Sequence, residues 1–160
     1  MKSKLLGAAV LCVAAVATVT VVSANAGSTG GRTFKLVEKD QSFHFSDVPP
    51  LGKNHNSPPS AGDAFQFSST LWTPAGKRNG TLNVDCVVTV GGKAGLAHCE
   101  GTFTLPDGTL EGAATTSING DSVDHVAILG GTGAYEGASG TIVSAPTKTG
   151  SNDTVHVILP

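Results

Sequence analysis

Few side chains in this chain stand at spacings that commit them to a reaction. Five histidines lie at 44, 55, 98, 125 and 156, with no H-x-x-x-H, H-x-H or paired-cysteine spacing, so the sequence offers no metal-ligand set. Hydrolysis by an activated serine needs a G-x-S-x-G elbow, and Glu136-Gly137-Ala138-Ser139-Gly140 misses that spacing. Acid and base work by paired carboxylates needs two acids on one inward-facing phase. Glu38 and Asp40 share a phase, but it is the phase of Phe34 and Leu36, which reads as the outer wall. The run Ile128-Leu129-Gly130-Gly131-Thr132-Gly133 invites comparison with a phosphate-cradling loop, which would open a helix. Instead the chain continues through Gly137 and Gly140 into Thr141-Ile142-Val143, a glycine-rich and β-branched stretch. Gly130, Gly131 and Gly133 therefore read as a sharp corner between two strands, where positive φ and close backbone approach favour glycine.

The first 26 residues read as a signal peptide. Lys2 and Lys4 give a positive start, residues 5–22 are almost wholly apolar, and Ala24-Asn25-Ala26 supplies small residues for cleavage after Ala26. An uncleaved N-terminal anchor is the alternative. Cleavage predicts a secreted, extracellular protein of 134 residues, one domain's worth, with no stable membrane partner. Ten basic residues stand against twelve acidic ones, and the loss of Lys2 and Lys4 makes the balance about −4. No basic stripe is left for nucleic acid. Cys12 leaves with the segment, so Cys86 and Cys99 remain for an oxidising compartment and are expected to pair. Folding the chain at residues 91–95 sets position 86 opposite 99, a closure worth about 3 kcal/mol. A reactive thiol is the alternative reading.

The elements that must carry these groups are strands. Residues 27–32 form a flexible Gly/Ser/Thr lead. Residues 33–39 alternate, with Phe34 and Leu36 on one face and Lys35 and Val37 on the other, and 42–45 prolong the strand after a bend. Residues 47–61 hold Pro49, Pro50, Pro58, Pro59 and Gly52, a loop long enough to serve as a lid or binding loop, or simply a surface excursion. Further strands are read over 63–72, 81–90, 97–105, 109–118, 122–129, 139–145 and 154–159. Pro106-Asp107-Gly108 and Asn119-Gly120 mark tight turns. No segment carries a helical apolar stripe. About eight strands in sequential hairpins predict an all-β, eight-stranded antiparallel up-and-down β-barrel, because closure removes both exposed edges. Its interior is either filled or holds one small ligand.

The glycine corner with its Gly-Gly-Thr-Gly-Ala-Tyr-Glu-Gly run, the opening Thr33-Phe34-Lys35-Leu36-Val37-Glu38-Lys39-Asp40, the Gly62-Asp63-led strand and Cys86-Val87-Val88 together resemble the allene oxide cyclase and dirigent barrel superfamily, in a small secreted bacterial-type form. The resemblance spans roughly residues 33–159, within a barrel domain read over 33–160, and implies a barrel whose inward residues include Lys35, Val37, Phe65, Phe67, Ser69, Val84, Cys86 and Phe103. It does not carry the cyclase residues over. Lys35 and Val37 stand where the cyclases use a glutamate and an asparagine, and Ser69 stands where they use a water-holding asparagine. Allene oxide cyclisation itself is therefore not expected, and no residue is carried over from the dirigent branch.

On this reading Lys35, Ser69 and Tyr135, the last at the rim beside the corner, are the catalytic candidates, and Val37, Phe65, Phe67, Val84 and Phe103 line an apolar cavity. Two functions stay open. One is a cofactor-free isomerase, cyclase or dirigent-like protein that steers a reactive apolar substrate by positioning it. The other is a non-catalytic, lipocalin-like binding protein for a hydrophobic ligand. Neither calls for a metal or a cofactor, and homo-oligomerisation is left open.

Overall fold

A computed structural model describes residues 30–49, 57–119 and 122–160. The segment read as a signal peptide lies outside the described residues. Eight strands succeed one another: β1 (Gly31–Ser46), β2 (Ala64–Trp72), β3 (Arg78–Val90), β4 (Leu96–Leu105), β5 (Gly108–Ser117), β6 (Asp124–Gly131), β7 (Ser139–Pro146) and β8 (Ser151–Ile158). Each pairs antiparallel with the next, and β8 returns to β1, so the sheet is a closed up-and-down barrel as expected. β1 begins at Gly31, two residues inside the stretch read as a flexible lead, because Gly31 and Arg32 pair with Ile158 and Val157 of β8.

Alternation decides what fills the cylinder. Leu82, Val84, Cys86 and Val88 of β3 and Ala97, Cys99, Phe103 and Leu105 of β4 point inward, while Asn83, Asp85, Val87, His98 and Glu100 face solvent. β1 differs from the sequence reading in two ways. Its buried phase before residue 39 is Leu36 and Glu38, whereas Lys35 is exposed and Val37 lies on the outer phase, only half-buried. The register then shifts between Lys39 and Ser42, a bulge that reverses the phase, so Phe43 lies on the cavity side of the strand at its exposed mouth. The expectation that Lys35 and Val37 point inward is thus corrected. A one-residue change of register turns every side chain of a strand to the other face.

The two ends of the barrel are built differently. At one, the β6–β7 corner makes a single 3₁₀ turn at Gly133–Tyr135 that drops Tyr135 into the core cluster, its ring 6.5 Å from that of Phe34. The corner backbone lies directly on the β4–β5 turn, with Ala134 N–H donating to the Asp107 carbonyl. That approach leaves no room for a side chain, since a Cβ on Gly108 would meet the Thr132 carbonyl oxygen at 2.0 Å and one on Gly131 the Thr109 carbonyl oxygen at 2.2 Å. Gly133 also takes φ +61. Gly130, grouped with them on sequence, has neither constraint and is a corner residue by position only.

Cys86 and Cys99 lie directly opposite in the β3–β4 register, and their sulfurs are bonded. Asp63, fully buried ahead of β2, ties both flanks of the 47–61 excursion. Its carboxylate accepts from Val48 N–H at 2.9 Å, Ser60 N–H at 2.7 Å and Ser60 Oγ at 3.2 Å. Burial alone would raise this carboxyl, but the Ser60 and Val48 hydrogen bonds outweigh it and hold it below its ordinary value.

Replacing Cys86 and Cys99 by serine is expected to leave the far-UV spectrum of a barrel and to lower the unfolding free energy by about 3 kcal/mol, read from denaturant midpoints. Gly108→Ala is expected to lower the melting temperature well below that of Gly130→Ala, since only the former drives a methyl group into a carbonyl.

Candidate functional site

The end opposite Tyr135 is open, and the interior behind it is a cavity of ≈ 750 Å³. Phe43, Ile118, Asp124 and the β7–β8 hairpin with Lys148 ring its entrance, and a belt of Phe65, Phe67, Leu82, Val84 and Phe103 lines its middle. Phe43 and Phe65 stack with centroids 5.9 Å apart. Further toward the closed end, Leu36, Leu71, Leu110 and Val155 are fully buried and plug the cylinder. The volume falls within the range of small-molecule pockets.

Glu38, 5% exposed, also lines this cavity, packed against Gly150 of the β7–β8 hairpin. Ser69 Oγ of β2 donates to Glu38 Oε2 at 3.1 Å. On β8, Ser151 Oγ donates to Asp153 Oδ1 at 2.7 Å, and Asp153 is 1% exposed. Glu38 and Ser151 line the cavity, and Asp153 lies behind them. Burial first, then the negative charge of Asp153 and a hydrogen bond between the two carboxyls, push Glu38 up to about 8, against the opposing bonds from Ser151 and Ser69. At neutral pH the cavity therefore presents a carboxylic acid with its proton in place. Such a group donates a hydrogen bond or a proton to an oxygen on which charge develops, in surroundings of low dielectric that strengthen the interaction.

Of the residues singled out on sequence, Ser69 is brought to this acid, and Phe65, Phe67, Val84 and Phe103 line the cavity. Lys35 and Val37 are on the wrong face of β1 and do not reach it. Tyr135 is not at the rim of the open mouth. It is buried in the closed end, 4.8 Å from the Arg32 guanidinium, and burial raises its hydroxyl above the ordinary value despite that cation. The described histidines stand on the outer wall, His156 with Thr33 and His98 beside Glu100. Glu38 was weighed on sequence and set aside because the phase of Phe34 and Leu36 read as the outer wall, whereas the structure turns Leu36 and Glu38 inward. Its signal was the alternation Phe34-x-Leu36-x-Glu38, an acid carried on the apolar phase of a strand.

Comparison with known proteins places this geometry. The family profile described as "Allene oxide cyclase barrel like domain" matches residues 33–159. No curated protein matches the chain. Among solved structures the chain is similar to a pyocyanin demethylase, at 24% identity and TM-score 0.67, over 79% of this chain and 99% of that one. It is also similar to a nonspecific heme-binding cyclase that catalyses a 4 + 2 cycloaddition during neoabyssomicin biosynthesis, at 22% identity and TM-score 0.62, over 82% and 67%. A third is the pterocarpan synthase dirigent protein, at 19% identity and TM-score 0.52, over 82% and 93%. At these identities the likeness is one of fold.

A buried acid that keeps its proton makes stability depend on pH with a definite sign. Glu38 holds its proton in the folded chain up to about pH 8 but loses it near the ordinary value of 4.5 when unfolded. The folded state thus binds more protons across that window, and stability falls as pH rises through it, by on the order of 1 kcal/mol per pH unit. Glu38→Gln removes this slope. Melting temperatures taken from pH 5 to pH 8 are expected to decline in the parent and to stay flatter in the variant, so that the variant gains relative stability toward pH 8.

Proposed function

As the chain belongs to the allene oxide cyclase barrel-like family, we propose that it is an exported, cofactor-free barrel that takes up one reactive apolar molecule and steers its isomerisation or cyclisation. The observation that carries this reading is a buried Glu38 carboxyl, held by Ser69 and pushed up to about 8, in a cavity belted by Phe65, Phe67, Leu82, Val84 and Phe103. The wall supplies positioning. An apolar substrate folded against Phe65, Phe67 and Phe103 is held near its reactive conformation, and such pre-organisation alone lowers a unimolecular barrier substantially. Glu38 supplies polarity at one point, protonating or hydrogen-bonding an oxygen of the substrate as its electrons rearrange. Ser69 and Ser151 hold the carboxyl in place. Cyclases and a dirigent protein among the structures of this fold support the reaction class, and Lys2, Lys4, the apolar run and Ala24-Asn25-Ala26 support export.

A second reading, sequestration of a hydrophobic ligand without turnover, is favoured by the mouth. Phe43 is 67% exposed there and offers an apolar entry surface on a solvent-facing rim. The two readings separate in one experiment. The chain from Gly27 onward is incubated with a panel of unsaturated epoxides, conjugated dienes and quinone methides, and chiral chromatography with mass spectrometry monitors products of unchanged mass. Steering predicts a mass-neutral isomer formed with an excess of one stereoisomer. Glu38→Gln is then expected to bind the same compound within a few-fold while turnover falls about 10²–10⁴-fold. A compound retained but recovered unchanged from the parent protein favours sequestration. Failure of the whole panel to enter the barrel overturns both.

A further inference from the structure

We infer that Asp153 is a positioning residue for Glu38, holding the single proton of a two-carboxyl pair on the member that faces the cavity. This rests on the reading of Glu38 as the acid of the site, but its central claim is about a proton and is testable without a substrate.

The pairing of β8 with β1 sets Asp153 opposite Leu36 and Asn152 opposite Val37, so the inward phase of β8 carries Ser151 and Asp153 alongside the inward phase of β1 that carries Glu38. Ser151 occupies Asp153 Oδ1, and among the described residues the buried Oδ2 meets no donor other than the neighbouring Glu38 carboxyl. Buried carboxylate oxygens are satisfied in folded proteins, and here the available donor is the Glu38 hydroxyl. On its other side Glu38 already accepts from Ser69 through Oε2. The groups that face Glu38 from the neighbouring strands are Ser69 on β2 and Ser151 and Asp153 on β8, and among the described residues no lysine, arginine or histidine acts on it. The two buried carboxyls therefore face each other with no compensating cation among those neighbours, the arrangement in which a second negative charge at one site is disfavoured.

That arrangement gives the site both halves of a proton shuttle. Glu38 passes its proton to one atom of the substrate and becomes a carboxylate beside the carboxylate of Asp153. Repulsion between the two makes Glu38 a strong base, so it takes a proton from a second atom of the same intermediate. One O–H bond breaks and re-forms, the substrate gains and loses one proton, and no oxidant or reductant is needed. Asp153 touches no substrate. It sets the force with which Glu38 recovers its proton.

The chain has only four glutamates, at 38, 100, 111 and 136, so carboxyl ¹³C NMR of glutamate- and aspartate-labelled protein resolves the titration. The expected result is one glutamate carboxyl with its midpoint near pH 8 that disappears in Glu38→Gln and moves acidward by a pH unit or more in Asp153→Asn. In the unsubstituted protein the Asp153 carboxyl signal is expected to inflect at the same midpoint, which decides the matter even if Asp153→Asn does not fold. A Glu38 midpoint unmoved by Asp153→Asn, or no inflection of Asp153 at the Glu38 midpoint, overturns the inference. A coupled titration without turnover of any compound leaves the pair standing and counts against the isomerase reading instead.

Discussion

Everything in this molecule depends on the ladder between β8 and β1. Without it, the eight strands are a meander with two open edges and one face that must be covered by something else. With it, the inner face is sealed from solvent at one end and becomes a container at the other. The same ladder is the source of the chemistry, since Glu38 and Asp153 are more than a hundred residues apart in sequence and meet only because the last strand returns to the first.

The two ends of the container solve opposite problems. At the closed end, backbone is laid on backbone. Glycines at 108 and 131 let the β6–β7 corner sit directly on the β4–β5 turn, and Tyr135 fills the lumen above Phe34. Rigidity there comes from contacts too close for any side chain. At the open end the bulge after Lys39 re-aims β1, so that Phe43 faces the mouth on a phase opposite to Leu36 and Glu38. The bulge allows one strand to contribute a polar residue to the wall of the cavity and an aromatic one to its entrance.

Between these ends the energetic conflict is local. Apolar walls exclude water, which is favourable for the leucines and phenylalanines but costly for a carboxylate. The chain resolves the cost at Glu38 by leaving the proton on, and at Asp63 by surrounding the charge with donors. Two of the three buried acids among the described residues are thus displaced in opposite directions by their neighbours. Only the one that keeps its proton lines the cavity.

The eight strands, their order, the disulfide partners and the glycine corner were all legible in the amino-acid sequence, because period-two alternation, turn residues and cysteine number are local properties. Alternation likewise put Phe65, Phe67, Val84 and Phe103 each on one face of its strand, and the family resemblance named that face as inward, which holds because these strands keep one phase throughout. The phase of β1 was not. Phe34-x-Leu36 and Lys35-x-Val37 are both consistent with a strand, and which pair faces inward depends on the register with β2 and β8, which the strand itself does not encode. Nor did the sequence reveal that Glu38 would have Asp153 as its neighbour. Tertiary structure decided both, because closure of a barrel assigns each strand a single register, and that register determines which acid is buried and what lies beside it.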